Sequence, residues 1–347
     1  MGFLTAITRR WFSKTAGVAL LCLMILSIST FLLSLFSSVA HRPKSYPLES
    51  SSVFETSLDQ RLNSKSIKFL SAERKFDLIL FHALPKCGSR TFLTLAEWSE
   101  DYRNGLMTID TSLYTLPAAP SNMSREIFMR DFLTRYLEKI PKKYIFLYTH
   151  ARFVDLRKHE WRMRYVSIIR DPLSRLVSWY YYLRNRDGTN LTRSEMQWRS
   201  KLKDLPNETF DQCVQNSGND CMAKFLSIST TSFFCGYDSK CSADGNFALA
   251  RAKENVVRHF DVVGIMEDYS SFVQVVESLI SPTFSGAVNN YARFQQGTSY
   301  VSNMKTQGKI LPSKETRQIM IEKLSYDYKF YNFVKTRFYQ QKRALGI

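Results

Sequence analysis

The stretch Phe76-Asp-Leu-Ile-Leu-Phe-His-Ala-Leu-Pro-Lys-Cys-Gly-Ser-Arg-Thr91 limits what this chain can fold into more than any other. It reads as a short apolar strand, Leu78 to Ala83, then a tight basic turn, then an amphipathic helix beginning near Arg90. Phe92, Leu93, Leu95, Ala96 and Trp98 supply the apolar helical face. A strand that ends in such a turn and opens a helix is an anion cradle. Gly88 lets the backbone approach a ligand, the first helical N–H groups point at it, and Lys86 adds a point charge. The nucleotide-binding Walker A loop places its Lys after the second Gly. Here the Lys precedes the Gly, which disfavours ATP or GTP hydrolysis. Taken alone, the stretch is equally an ordinary strand–turn–helix with a solvated Lys, so the rest of the chain has to decide.

The N-terminal part is a separate piece. No charged side chain occurs from Thr15 to Ala40, and Gly17 to Phe36 is almost wholly apolar, close to the ~20 residues needed to span a bilayer. Arg9, Arg10 and Lys14 precede it and favour a cytoplasmic N-terminus, although Arg42 and Lys44 follow. The apolar run is long for a cleaved signal peptide and no clean small-x-small site follows closely. The sequence therefore predicts a cytoplasmic tail (1–14), a transmembrane signal anchor (15–40), a Ser- and Pro-rich stem (41–70) and a lumenal domain (71–347).

Charge and cysteines fit that topology. The chain carries a formal +17, with three Lys/Arg and no carboxylate in its first forty residues, so +14 remains beyond them. Such an excess on a secretory-pathway domain points to a polyanionic partner. The compartment disfavours nucleic acid and makes a sulfated or carboxylated polysaccharide the natural candidate. Solubility alone would also account for scattered basic residues. Cys213, Cys221, Cys235 and Cys241 allow three pairings, of which the local loops Cys213–Cys221 and Cys235–Cys241 are the simplest in an oxidising lumen. Four thiols could also hold zinc, but no Cys-x-x-Cys pair occurs and no His sits nearby. Sequons at Asn122, Asn190 and Asn207 suit the same compartment.

Beyond the turn, Ala96 to about Leu137 reads as helix with breaks near Pro117 and Pro120. Tyr144 to His150 and Arg164 to Arg170 read as strands, and Pro172 opens a helix bearing Leu173, Leu176, Val177 and Tyr180. A helix over Gly245–His259, a strand over Asp261–Ile265 and a helix over Tyr269–Leu279 follow. The alternation predicts an α/β domain with a mainly parallel sheet flanked by helices. In such sheets ligands lie at the carboxyl ends of strands, and Lys86, His150 and Arg170 all fall at predicted strand ends. Arg170 can pair bidentately with a phosphate, and Ser178 lies two turns into the helix on the face of Ser174. A helix cap with a surface Arg would explain this second segment as well.

Leu84-Pro-Lys-Cys-Gly-Ser-Arg-Thr91 together with Ile168-Ile-Arg-Asp-Pro-Leu-Ser-Arg-Leu-Val-Ser178 resembles the two cofactor signatures of sulfotransferases. The chain is most similar to the uronosyl 2-O-sulfotransferases of glycosaminoglycan synthesis, from about Phe76 to its C-terminus. The wording of the first motif is closer to the dermatan/chondroitin branch, since the heparan branch typically has Thr-Ala-Ser-Thr after the Lys. The resemblance implies a P-loop-like sulfotransferase fold and 3′-phosphoadenosine 5′-phosphosulfate as donor, with no metal. It assigns Lys86, Cys87, Gly88, Ser89, Arg90 and Thr91 to the 5′-phosphosulfate, Arg170 and Ser178 to the 3′-phosphate, and Lys305 and Thr306 to a loop closing over the nucleotide.

It further implies that His150 is the base, because Thr149-His-Ala-Arg-Phe-Val-Asp155 resembles the family's His-Val-x-Phe-Leu-Asp segment. A neutral imidazole suits that role. Arg152 stands where many relatives have a supporting His. Arg184 and Asp187 match positions that contact acceptor sugar. Both short cysteine loops match the family's disulfides. Cys87, with no His–Asp partner set, reads as part of the cradle rather than a nucleophile. The Tyr326–Arg343 stretch matches a terminal helix, and a homotrimer on the Golgi membrane is the implied assembly. The reaction expected is sulfuryl transfer to the 2-hydroxyl of a uronic acid in a glycosaminoglycan. The rivals are a sulfotransferase for another carbohydrate acceptor, or a non-catalytic polyanion-binding member of the fold.

Overall fold

The computed structural model describes residues 78–99, 107–111, 124–138, 145–156, 163–184, 208–216, 221, 229–280, 283–297, 306 and 308–347. The expected anchor and stem, the sequons at Asn122, Asn190 and Asn207, and site candidates Asp187 and Lys305 lie outside them. Among the described residues no helix is long and apolar enough to cross a membrane.

Five strands, β1 (Leu78–His82), β2 (Met107–Thr111), β3 (Ile145–Thr149), β4 (Met163–Ile169) and β5 (Phe260–Ile265), form one sheet in the order β2-β3-β1-β4-β5. All four pairings are parallel, and β1 lies between β3 and β4, with His82 level with Thr149 on one side and Ser167 on the other. The order reverses across β1, so the carboxyl ends of β3, β1 and β4 stand side by side at the place where such sheets bind ligands.

The helices are α1 (Ser89–Glu97), α2 (Arg125–Glu138), α3 (Pro172–Arg184), α4 (Phe210–Gln215), α5 (Thr230–Cys235), α6 (Lys240–Ala243), α7 (Gly245–His259), α8 (Tyr269–Leu279), α9 (Ala287–Gln296), α10 (Lys314–Lys323) and α11 (Ser325–Ala344). Side chains alternate across a strand, and β1 shows which helices cover which face. Phe81 packs on Phe92 of α1 at 4.5 Å between ring centroids, and Phe92 stacks on Phe284 and meets Phe272 of α8. His82 faces the other way, against Phe233 and Phe234 of α5, and Phe234 reaches Phe330 of α11. Buried aromatics thus fill both faces of a three-layer α/β domain. A smaller apolar cluster joins α3, α4 and α10.

Two features fix the periphery. Asp327, buried in α11, accepts hydrogen bonds from the Ser229 and Thr231 hydroxyls and the Thr230 and Thr231 backbone at the start of α5. That ties the terminal helix to α5. Cys213–Cys221 and Cys235–Cys241 are both disulfide-bonded, with Cα atoms 6.0 and 5.7 Å apart. Loops this short stabilise by about 2–3 kcal/mol each on chain entropy.

The expected strands and the helices at Pro172, Gly245 and Tyr269 are all present. The helical reading of Ala96 to Leu137 is corrected: α1 stops at Glu97, and Met107–Thr111 is the edge strand β2 on β3. Residues 107–111 include β-branched Thr108, Ile109 and Thr111, which favour extended backbone once a neighbouring strand supplies hydrogen bonds.

Candidate active site

The turn after β1 opens with Ala83 N–H donating to Thr149 O at 2.8 Å, which extends the pairing with β3. It then turns through two left-handed residues, Lys86 at φ 69° and Gly88 at φ 76°. Lys86 is the only non-glycine with positive φ among the described residues, a strain that clusters at ligand sites. Gly88 is required twice over. It adopts the left-handed region, and a Cβ there would sit 3.1 Å from the Tyr269 ring, whose hydroxyl donates to Gly88 O. Gly88 is also the N-cap of α1 and brings no side-chain cap, the arrangement in which a helix start takes up an anion.

Side chains that follow β4 reach this turn. Arg170, just past β4, donates to Lys86 O at 3.3 Å. The Lys86 ammonium lies 4.0 Å from the Tyr182 ring centroid of α3, a cation–π contact. Ser178, also on α3 and buried, has its Oγ 3.1 Å from Thr306 Oγ1, 128 residues away in sequence. The structure thus brings together two residues that the sequence assigned separately, Ser178 to a phosphate and Thr306 to a later loop. Cys87 is fully buried, and burial raises its thiol to about 12, so it is a packed wall of the turn and no thiolate at neutral pH. A cavity of about 120 Å³ adjoins α3, lined by Asp171, Ser174, Val177, Lys309, Arg317 and Tyr328 among others.

His150 stands at the end of β3. Its Nδ1 is 2.5 Å from Ala83 O and its Nε2 is 3.0 Å from Tyr148 Oη, which is itself 3.2 Å from Ser89 Oγ. A carbonyl only accepts, so the ring hydrogen is on Nδ1 and Nε2 carries the lone pair. Burial lowers His150 to about 4; the Ala83 bond opposes this and the Arg90 charge adds to it. The ring is therefore neutral at physiological pH, the state a proton acceptor needs.

The other histidines among the described residues, His82 and His259, have structural surroundings. His82 is 2% exposed inside Phe153, Phe233, Phe234 and Phe260, and burial pushes it to about 3. His259 pairs with Asp155 at 3.5 Å. Arg152 does not support His150: its guanidinium donates to Gly236 O and Ser242 Oγ, and its N–H to Tyr237 Oη. It pins the Cys235–Cys241 loop instead. Arg184 stacks on Tyr180 at 3.6 Å and lies 3.9 Å from Glu208, so in this state it is held in the fold. Sequence reasoning missed Tyr148, Tyr182 and Tyr269. Tyr148 had a readable signal, since it stands two residues before His150 and so shares its face of the strand.

Residues 72–334 match the model of the Sulfotransferase family. The mouse uronyl 2-sulfotransferase is 26% identical over 271 residues, covering 78% of this chain and 64% of that protein. The chicken heparan sulfate 2-O-sulfotransferase 1 is 30% identical over 270 residues, covering 75% and 70%. The match thus spans a little under two thirds of the length of the mouse relative. The crystal structure of mouse sulfotransferase SULT7A1 complexed with PAP aligns over 76% of this chain and 88% of its own, at 15% identity and a TM-score of 0.41.

Proposed function

The chain belongs to the sulfotransferase family, and from that premise we propose that it moves a sulfuryl group from 3′-phosphoadenosine 5′-phosphosulfate to the 2-hydroxyl of a uronic acid in a glycosaminoglycan. The observation that carries the reading is one address. Lys86, Arg170, Ser178 and His150 come from three adjacent strand ends and the helix after one of them, and Thr306 joins Ser178 from a later segment. The residues fit such a donor. The turn and its surroundings offer ammonium, guanidinium, hydroxyl and helix-start donors, which two phosphate-bearing ends require.

When bound, the donor supplies the sulfuryl group and departs as a bisphosphate. The chain's own residues do the rest. Lys86 and the start of α1 stabilise charge growing on the leaving oxygen, as preorganised donors do. Arg170, Ser178 and Thr306, with Lys305 next to Thr306 in sequence, hold the 3′-phosphate end. His150 Nε2 takes the proton of the attacking hydroxyl, and the Nδ1–Ala83 bond fixes the tautomer that allows it. Arg184 and Asp187 orient the sugar, Arg184 after leaving Tyr180 and Glu208.

The relatives' names support a glycosaminoglycan acceptor, as does the +17 charge. The reading includes a type II Golgi membrane protein anchored through residues 15–40 and assembled as a homotrimer. Two disulfides support an oxidising lumen. The test incubates the full-length chain with labelled phosphosulfate and desulfated heparan, dermatan or chondroitin, followed by disaccharide analysis. Label on uronate O-2 is expected. Label elsewhere on the sugar discards the acceptor assignment and keeps the donor. Donor binding without any transfer points to a polyanion-binding protein.

A further inference from the structure

A second group of cations stands beside the base, and the transfer chemistry makes no use of it. Arg152 follows His150 by two residues, so their Cα atoms are at most about 7 Å apart. Its backbone N–H donates to Tyr237 Oη at 3.1 Å, and its guanidinium donates to Gly236 O and Ser242 Oγ. Arg125, the first residue of α2, has its guanidinium carbon 5.8 Å from the centroid of the same Tyr237 ring. The balance of charge there is one-sided. The nearest carboxylates in sequence, Glu126 and Asp238, both pair with Arg251, at 3.5 and 3.1 Å. Among the described residues Arg125 has no carboxylate partner, and nothing accepts the Tyr237 hydroxyl hydrogen. Burial disfavours the Arg152 charge and so does Arg125, with the Tyr237 oxygen offsetting only part of this.

We propose that Arg125, Arg152 and the Tyr237 hydroxyl form an anion subsite that holds a carboxylate or sulfate of the acceptor polysaccharide beside the hydroxyl facing His150. This rests on the acceptor reading above. Such groups carry acceptors alone, and here two cations and a phenol hydrogen meet. The donor's phosphate ends are met at β1 and β4, whereas this group gathers past β3 with α2. Arg125 is exposed, and Arg152 and Tyr237 are half-buried, so a polymer can reach the three without any part of the fold moving. A chain of alternating uronates and amino sugars offers two such anions near the reacting hydroxyl. One is the carboxylate of the uronate itself, the other a sulfate on its neighbour. A neutral polysaccharide would leave the phenol hydrogen and Arg125 without an acceptor, so the subsite also selects against it.

The test measures binding of the full-length chain to immobilised polymers by surface plasmon resonance at neutral pH. The polymers are desulfated heparan and dermatan, which keep their carboxylates, and carboxyl-reduced heparan and dermatan sulfates, which keep their sulfates. Arg152 itself is left in place, because its bonds to Gly236 and Ser242 hold the disulfide loop. Arg125→Gln should weaken binding about tenfold, and Tyr237→Phe, which keeps the ring and removes the hydroxyl, about fivefold. Arg343→Gln removes the same charge at the end of α11, where Gln341 bonds Asp261 O near the start of β5, and should leave the affinity as it was. A loss confined to the desulfated polymers identifies the carboxylate as the ligand, and one confined to the carboxyl-reduced polymers the sulfate. Polymer binding in which Arg125→Gln matches the wild type, or in which Arg343→Gln loses as much, overturns the subsite alone. A wild type that binds none of the polymers overturns the acceptor reading together with it.

Discussion

The two halves of the candidate site use electrostatics in opposite ways. Around the turn after β1 the protein gathers positive charge and donors: Lys86, Arg170, Ser178 and Thr306. At the end of β3 it excludes charge, burying a neutral imidazole between a carbonyl and a phenol and holding it near 4. An anion binds wherever cations converge, so the first half can be stable before a ligand arrives. A general base must stay unprotonated beside those same cations, and burial with Arg90 nearby achieves that. Anionic donor in the cradle would lift the His150 value toward neutrality, raising its strength as a base when it is needed. The halves are thus independent in binding and coupled in chemistry.

The sharpest break of that division is His150→Ala. Loss of a general base typically costs roughly 10²–10⁴-fold in rate, while nucleotide affinity by calorimetry should hold. A matching loss of affinity would mean that the base half also holds the donor. Lys86→Ala comes next, on the other side. Removing one preorganised donor to the developing charge is expected to cost about 10²–10³-fold in kcat. Affinity should fall much less, because the helix start and Arg170 remain. An affinity loss as large as the kcat loss would make Lys86 a plain ground-state binder.

Stability against pH sharpens the contrast. His150 and His82 sit near 4 and 3 in the fold against an ordinary 6.5. The unfolded chain therefore binds more protons below about 6.5, and stability falls as pH drops through the window from 6.5 to those folded values. Each pH step across the window costs about 1.4 kcal/mol per histidine, so His150 alone accounts for roughly 3 kcal/mol. Thermal melts between pH 7 and 4.5 should show a steep loss, and His150→Gln should flatten it. Saturating adenosine 3′,5′-bisphosphate should flatten it too, by narrowing the window from below. An equally steep loss in the glutamine variant would place the acid sensitivity elsewhere.

These halves were unequally legible in the sequence. The donor half announces itself because its residues are contiguous: a turn's Lys, Gly and helix start lie within a few positions, and Arg170 and Ser178 share one strand–helix unit. The helices at Gly245–His259 and Tyr269–Leu279 were readable to their ends, since Asp244 and Asp268 cap them with side-chain oxygens. The strand at Met107–Thr111 was not, for a five-residue edge strand owes its form to a neighbour 38 residues on. The base half depended on contacts across the sheet. The eye goes from His150 to Arg152, but that guanidinium leaves toward Gly236 and Ser242, while the phenol of Tyr148 does the contacting. Tyr148 is within reach of strand spacing, but Ala83, Gly236 and Ser242 are partners chosen by packing and are invisible to it.

The smallest effect concerns how the donor half is held together. Ser178 and Thr306 bond each other at 3.1 Å, so each single substitution to Ala removes the same contact. The net worth of such a bond is about 1 kcal/mol, roughly a fivefold loss of nucleotide affinity. If the bond preorganises the segment around Thr306 for the 3′-phosphate, Ser178→Ala and Thr306→Ala should each show that loss. The double variant should then be no worse than either one. If each hydroxyl instead reaches the phosphate on its own, the losses add, and the double variant shows their product. Calorimetry on the four proteins decides between a prebuilt clamp and two separate contacts. An additive result would mean that the donor half takes its working arrangement only when the ligand arrives.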